Sequence, residues 1–251
     1  MAILIKSERE IELIRHSCKL LAQVHEELRE AIKPGVSTKD IDSLGEKLIR
    51  DMGCTPNFLN YNGYPASICV SVNEEVVHGI PRKDRILKEG DIVSLDCGLI
   101  YKGYHSDAAR TYGVGPIAPE LEQLIKETEN SFWEGIKKAK AGNHLFEISA
   151  AIDDYISQFG YGIVTDLVGH GVGTALHEDP QIPNFRQPRR GPKLQKGMTL
   201  AIEPMINLGR SDVEWLDDDW TVVAEDGLPS AHYENTILIT DGEPEVLTIL
   251  D

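Results

Sequence analysis

The chain has 251 residues, long enough to bury a sizeable core in one large domain or two small ones. Hydrophobic residues at 41% and charged residues at 26% describe an ordinary soluble globular protein. A formal charge of −16 argues against broad nucleic-acid binding, which needs a cationic surface to displace counterions.

Ser7 followed by Glu10 forms a capping box, and Ile11, Ile14, Leu20 and Leu21 keep helical spacing, so a helix is expected to about residue 30. A KPG turn at 33–35 leads to Ser37 and a second helix that stops near Gly53. Strand-like segments follow at 67–72 (SICVSV) and 91–100 (DIVSLDCGLI), then YHSDAARTY. After GVGP at 113–116 the pattern begins again, with a helix over about 118–140, an AG turn, a helix ending at Gly160 and more strands. Gly35 and Gly142, Ile41 and Ile148, and Gly53 and Gly160 each stand 107 residues apart. LKEGDIVSLD aligns with LQKGMTLAIE at the same offset, which matches Gly90 to Gly197 and Asp96 to Glu203. Chance recurrence of glycine turns rarely keeps register over so many positions. The expected architecture is one α+β domain over 1–251, built from related halves at about 1–115 and 116–251. No Pro/Gly/Ser-rich linker separates them.

Four carboxylates lie inside the apolar runs: Asp96 in IVSLDCGLI, Asp107 in YHSDAARTY, Glu203 in MTLAIEPMI and Glu234 in AHYENTILI. An ionised carboxylate is too costly to bury alone, so each must be protonated, paired or metal-bound. One such residue could be an accident of packing; four in one chain suggest a shared cation site. His170, in the glycine-rich turn VGHGVG, supplies a nitrogen donor. Two halves facing each other across a pseudo-twofold axis would bring Asp96 and Glu203 together. One histidine with four carboxylates is a hard, oxygen-rich set that favours a pair of Mn, Fe(II), Co or Zn ions over a structural zinc site. No contiguous Asp/Asn calcium loop is present. Two divalent ions would neutralise the four charges, and paired metals about 3.5–4 Å apart activate a bridging water for hydrolysis.

The stretches SICVSVNEEVVHGIP (67–81), DIVSLDCG with YHSDAARTY, VGHGVGTALHEDP (168–180), AIEPM (201–205) and HYENT (232–236) together resemble the bacterial-type type I methionine aminopeptidases, over nearly the whole chain. The resemblance implies a pita-bread fold: an antiparallel sheet core with helices outside and an internal pseudo-twofold duplication. It implies removal of the initiator methionine from nascent polypeptides, with a small second residue preferred, by a hydroxide bridging two divalent ions. Asp96, Asp107, His170, Glu203 and Glu234 match the metal ligands, with Asp107 and Glu234 expected to bridge both ions and Glu203 also to shuttle the proton. His78 matches a residue that contacts substrate near the scissile amide. His177 matches one that donates to the carbonyl oxygen as it becomes an oxyanion. Tyr61, Tyr64, Cys69 and Trp220 match the wall of the methionine pocket. Leu176 stands where relatives often carry an aromatic residue, Phe58 where some carry cysteine, and Asn235 where a histidine is common after the final glutamate. These departures bear on pocket shape and on the groups behind the ligands.

Plainer readings stand beside these. Out of context His78 would be a strand-end histidine, His177 a turn cap, and Tyr61, Tyr64 and Trp220 ordinary core aromatics. Cys69 reads as a small buried hydrophobe, since no His-paired thiolate arrangement is visible. His16, His25, His105, His144 and His232 read as surface or structural residues, with His105 and His232 near enough to ligands in sequence to sit behind them. The basic segment FRQPRRGPKLQK (185–196) reads as a solvated loop, with transient contact to ribosomal RNA as the sharper alternative, and WLDDDW (215–220) as an exposed turn.

Cys18, Cys54, Cys69 and Cys97 show no zinc-ribbon spacing and fit a reducing cytosol better than a disulfide framework. Lys6, Glu8, Arg9 and Glu10 precede any long apolar stretch, and no window has the length of a membrane span, so a cytoplasmic location is expected. The expected partner is a peptide or nascent-protein N-terminus beginning with methionine, met by a monomer, with neither DNA nor membrane involved. Two other functions compete. One is a Xaa-Pro peptidase of the same fold, whose usual N-terminal domain has no room in the about 65 residues ahead of the first site strand. The other is a catalytically dead pita-bread module that binds partners, a type that commonly loses ligands.

Overall fold

The computed structural model describes residues 2–250. Helix α1 (Glu8–Ala31) begins on the expected capping box, with Ser7 Oγ accepting from the Glu10 amide and the Glu10 carboxylate accepting from the Ser7 amide. Helix α2 (Thr38–Asp51) starts the same way from Ser37 and Asp40. Strands β1 (Thr55–Pro56), β2 (Cys69–Val72), β3 (Glu75–Val77), β4 (Ile92–Tyr101) and β5 (Tyr104–Gly113) complete the first half. The second half contains α3 (Pro119–Ile136), α4 (Phe146–Ile156) and β6 (Gly162–Ile163), then β7 (Gly169–Gly171), β8 (Glu178–Ile182), β9 (Thr199–Ile202) and β10 (Met205–Asn207). It ends with β11 (Val213–Trp215), β12 (Val222–Ala224), β13 (Ser230–His232), β14 (Glu234–Leu238) and β15 (Glu245–Val246).

Helices α3 and α4 stop earlier than their spacing predicts. After Ile136 the chain tightens into turns in which the Lys138 and Ala139 amides donate to the Gly135 and Ile136 carbonyls. Phe159 likewise donates to Ile156. Each turn leads to a glycine with positive φ, 97° at Gly142 and 75° at Gly160, where a helix cannot continue.

The main sheet is antiparallel, in the order β1-β4-β5-β14-β9-β7-β8, with β2 also against β4 and β15 against β14. Two smaller sheets, β13-β10-β6 and β11-β12-β3, lie beside it. Along β4 the odd residues Val93, Leu95, Cys97 and Leu99 pack with Leu21, Val24 and Leu28 of α1 and Ile41 and Ile49 of α2. In the second half Leu200, Ile202 and Ile237 pack with Phe132 and Ile136 of α3 and Ile148 and Ile152 of α4. Each fully buried side chain of this kind contributes roughly 1.5–3 kcal/mol. The helix-facing side of the sheet therefore carries the stability and leaves the other side free for polar groups.

The duplication extends to single hydrogen bonds. The Gly35 amide donates to Leu87 O at 2.8 Å and its repeat mate Gly142 donates to Leu194 O at 2.9 Å. Leu87 returns a bond to Val36 O at 2.9 Å, and Leu194 one to Asn143 O at 2.8 Å. The isolated bridges Ser37↔Ile86 and His144↔Lys193 keep the same offset. Gly35 and Gly142 have φ of 92° and 97°, and Gly90 and Gly197 of 93° and 88°. The repeated glycines thus mark backbone that other residues rarely adopt. Among the described residues no helix is long and apolar enough to cross a membrane.

Candidate metal centre

Strand register places the donors. Cross-strand partners share a face of a sheet, and so do residues two apart along a strand. Cys69 is opposite Asp96, Asp96 opposite Ala109, and Ala109 opposite Glu234, one row across four strands. Asp107 lies two residues from Ala109 on β5. His170 is opposite Ala201, and Glu203 lies two residues beyond Ala201. All five donors therefore face away from the helices, which the neighbours Leu95, Cys97 and Ile202 contact instead. His170 sits within strand β7, not in the turn that its glycines suggest. Those glycines serve packing: a Cβ at Gly169 would lie 2.4 Å from Ala201 O, and one at Gly171 would lie 2.4 Å from Asp179 O.

Donor atoms of Asp107, His170 and Glu234 lie within 4.8 Å of one another. His170 Nε2 is 3.6 Å from Asp107 Oδ2 and 3.5 Å from Glu203 Oε1. The His170 Nδ1 is 2.9 Å from Gly171 O, so Nδ1 carries the proton and the Nε2 lone pair faces the carboxylates. Burial pushes this imidazole down to about 3, with the neighbouring His177 adding to the effect, which keeps it neutral and able to ligate.

Burial raises all four carboxyls. Asp96 is pushed up to about 7, chiefly by burial, with His232 opposing and Glu203 adding. Asp107 and Glu234 rise well above the usual range through burial and the charges of their neighbours, and Glu203 through burial. Asp96 Oδ1, Asp107 Oδ1 and Glu234 Oε1 are buried without a hydrogen-bond partner. Each such atom costs about 1–3 kcal/mol if nothing meets it. Divalent cations fit this donor set, because they supply the missing partner to the orphaned oxygens and compensate their repulsion.

The donors form the floor of a cavity of about 210 Å³. That is small beside the roughly 300–1,000 Å³ of sites for drug-sized ligands, so it suits one side chain rather than an extended peptide. His78, His177, Tyr61, Tyr64, Cys69 and Trp220 all line it, together with Phe58 and Leu176. Phe58, Tyr64, Cys69 and Leu176 belong to one apolar cluster, against which Tyr61 and Trp220 pack. His78 follows β3 with a φ of 59°, a strained conformation for a residue with a Cβ. It is held by Gly79, which accepts from the Val70 amide at 3.0 Å, donates to Ser71 Oγ at 3.1 Å, and has no room for a Cβ. His177 is exposed on the 173–178 turn, with its ring centroid 4.3 Å from that of His170. Its Nδ1 is 2.7 Å from the Tyr61 hydroxyl. A phenol that donates there leaves the proton on Nε2, free to donate to a substrate oxygen.

His232, read from the sequence as a structural residue near enough to a ligand to sit behind it, stands beside Glu203 in the structure. Its Nε2 is 3.7 Å from Glu203 Oε2, and both ring nitrogens are buried without a hydrogen-bond partner. The signal was its position two residues before Glu234. Val77, Leu167, Val168 and Met205 also line the cavity, and nothing in their apolar character marked them out. Asn235 stays behind the floor, its Oδ1 accepting from Arg110 Nη2 at 2.6 Å and Thr248 Oγ1 at 2.8 Å. In the basic segment Arg186, Arg190 and Lys196 pair with Asp154, Glu147 and Asp241, as a solvated loop would.

Fold and donor set define a metal-dependent enzyme. The sequence profile of metallopeptidase family M24 matches residues 12–241. A methionine aminopeptidase from Clostridium acetobutylicum is 51% identical over 249 residues, 99% of this chain and 100% of that protein. The crystal structure of a methionine aminopeptidase from Thermotoga maritima is 44% identical, with a TM-score of 0.97 over 99% of this chain and 100% of that one. A Xaa-Pro dipeptidase from Bacillus anthracis is 27% identical with a TM-score of 0.81, and the match spans only 62% of its length. The chain belongs to metallopeptidase family M24 and has its pita-bread fold; it is a hydrolase whose buried donor cluster suits divalent metal.

Proposed function

We propose that the chain is a type I methionine aminopeptidase, which removes the N-terminal methionine of a peptide or nascent protein and prefers a small second residue. The observation that carries this reading is the set of donors on one sheet face, at the floor of a small cavity with an apolar wall. Asp96, Asp107, His170, Glu203 and Glu234 would hold two divalent ions, Co, Mn, Fe or Zn. Bound there, the ions would make a water nucleophilic near neutral pH and polarise the scissile carbonyl.

The protein's own groups do the rest. Glu203, flanked by His170 and His232, takes the proton of the attacking water on its carboxylate and returns it to the leaving amine. His177 offers Nε2–H to the carbonyl oxygen as charge develops there. His78 contacts the scissile amide from the end of β3. Tyr61, Tyr64, Cys69 and Trp220, with Phe58 and Leu176, exclude water and accept a flexible thioether.

The small cavity supports exopeptidase action, since only a terminal residue can enter it whole. A cytoplasmic monomer, one domain over 1–251 with halves at about 1–115 and 116–251, is the form in which this activity is proposed. Transient ribosome contact has little support from the paired cations of 185–196. Purified protein supplied in turn with Mn, Co, Fe(II) and Zn should hydrolyse Met-Ala-Ser and spare a Xaa-Pro peptide. No turnover with any of these ions, or faster cleavage of the Xaa-Pro peptide, would overturn the assignment.

A further inference from the structure

We propose that Lys6 is a positioning residue for His177, acting through a buried ion pair with Glu178 that clamps the 173–178 turn at the cavity. The proposal rests on the role given to His177 above. Lys6 and Glu178 stand 172 residues apart in the chain, and both side chains are only 6% exposed. Taking both charges out of water returns little net stability. What such a pair supplies is a fixed place for the chain that carries it.

Lys6 Nζ also donates to Leu4 O at 3.4 Å, and the contacts of the Glu178 carboxylate are directed at the turn. The Lys6 backbone is tied to the turn that leads into β9, its amide donating to Gly197 O at 2.8 Å. Lys6 Nζ donates to Glu178 Oε2. The other carboxylate oxygen, Oε1, accepts from the Thr174 amide at 2.8 Å, Thr174 Oγ1 at 3.3 Å and the Ala175 amide at 3.3 Å. At Gly173 a Cβ would lie 2.6 Å from Lys6 Cε and 2.7 Å from Glu178 Oε1, so the turn is pressed directly onto the pair. Gly173 O accepts from the His105 amide at 2.7 Å, which ties the turn to β5. Thr174, Ala175 and His177 are otherwise exposed.

Besides its buried neighbour Leu176, seated in the apolar wall, His177 is held at two points. The Tyr61 hydroxyl meets its ring at 2.7 Å, and the Lys6–Glu178 pair fixes the backbone one residue away. A hydroxyl follows a ring that drifts; the ion pair determines where the ring starts. Displacement of a catalytic group by about 1 Å can cost about 100-fold in rate.

A mere tether of the N-terminal segment would stabilise the protein without touching catalysis, and the two roles separate experimentally. The paired variant Lys6→Met with Glu178→Gln leaves no uncompensated charge. It should lower kcat on Met-Ala-Ser about tenfold or more and hold KM within about twofold. In a His177→Ala background the same pair should lower kcat no further. In metal-free protein the ring 15N and 1H resonances of His177 should shift or broaden, while those of the distant, buried His25 stay in place. If the paired variant does not fold, Glu178→Gln alone carries the same three measurements. Unchanged kcat, equal losses in both backgrounds, a change confined to KM, or an undisturbed His177 ring would each overturn the proposal. Absence of Met-Ala-Ser turnover by the unmodified protein would instead strike the aminopeptidase reading, and the ring resonances would still decide the positioning role.

Discussion

In the first half of the molecule the site strands β4 and β5 run ten residues each and join through the two-residue turn Lys102–Gly103, with φ of 50° and 84°. Their counterparts β9 and β14 are four and five residues long and are separated by residues 203–233, which contain four strands of the smaller sheets. The duplicated frame supplies the floor, where Asp96 and its repeat mate Glu203 line the same cavity. The long excursion supplies Met205, Trp220 and His232, and the 164–178 connection supplies His170, Leu176 and His177. A repeat can furnish a symmetric place for cations, but distinguishing one face of a substrate from the other needs connections that are not repeated.

The comparison can be broken most sharply at Asp96 and Glu203. If only Glu203 moves a proton, Glu203→Gln should lower kcat by more than about 10³-fold with an unchanged circular dichroism spectrum. Asp96→Asn should lower bound metal in elemental analysis before it changes the rate per bound ion. Next in size is His177→Ala on the unrepeated turn, expected to lower kcat about 10²–10³-fold with little change in KM, by steady-state kinetics on Met-Ala-Ser. Tyr61→Phe keeps the pocket wall and removes the hydroxyl that fixes the His177 tautomer. A loss of kcat of about tenfold is expected, and one seen only in KM would return Tyr61 to the wall.

Stability offers two smaller tests. With ions stripped by a chelator, the folded carboxyls titrate well above the roughly 4 of the unfolded chain, Asp96 at about 7. The folded state then binds more protons than the unfolded one and loses them as pH rises, so Tm should fall between about pH 6.5 and 8. His170, His78 and His232, lowered to about 3, 4 and 4, act in the opposite sense, but only below about 6.5, where the unfolded chain begins to take up protons. Mn-loaded protein should show a flat Tm over the upper window, and a slope as steep as that of the stripped protein would argue against metal on these carboxylates. The smallest effect probes the repeat itself. Gly35→Ala and Gly142→Ala, at φ of 92° and 97° with open space around each, should cost about 1–2 kcal/mol apiece in denaturant unfolding. Unequal costs would show that the two halves no longer share their backbone constraints.

Much of the frame was legible because its signals are local. The capping boxes at Ser7 and Ser37, the glycines at a 107-residue offset and the carboxylates inside apolar runs each follow from neighbouring residues and appear in the structure. The helix ends were less legible, since the tightening after Ile136 and Ile156 depends on where the chain must turn back to the sheet. Motif likeness pointed to His78 and His177, but the positive φ at His78 and the phenol on His177 are not visible in any spacing.

By itself the sequence determined which carboxylates needed a partner or a proton, because an ionised carboxylate is too costly to bury alone inside a strand. That these groups share one face came from the pairing of strands far apart in the chain. Only the tertiary structure decided what stands around them: His232 beside Glu203, the apolar wall of Phe58 and Leu176, and Lys6 locked onto Glu178 across 172 residues of chain. Such contacts join segments far apart in the chain. Their energies depend on the shape of the whole sheet rather than on any local pattern.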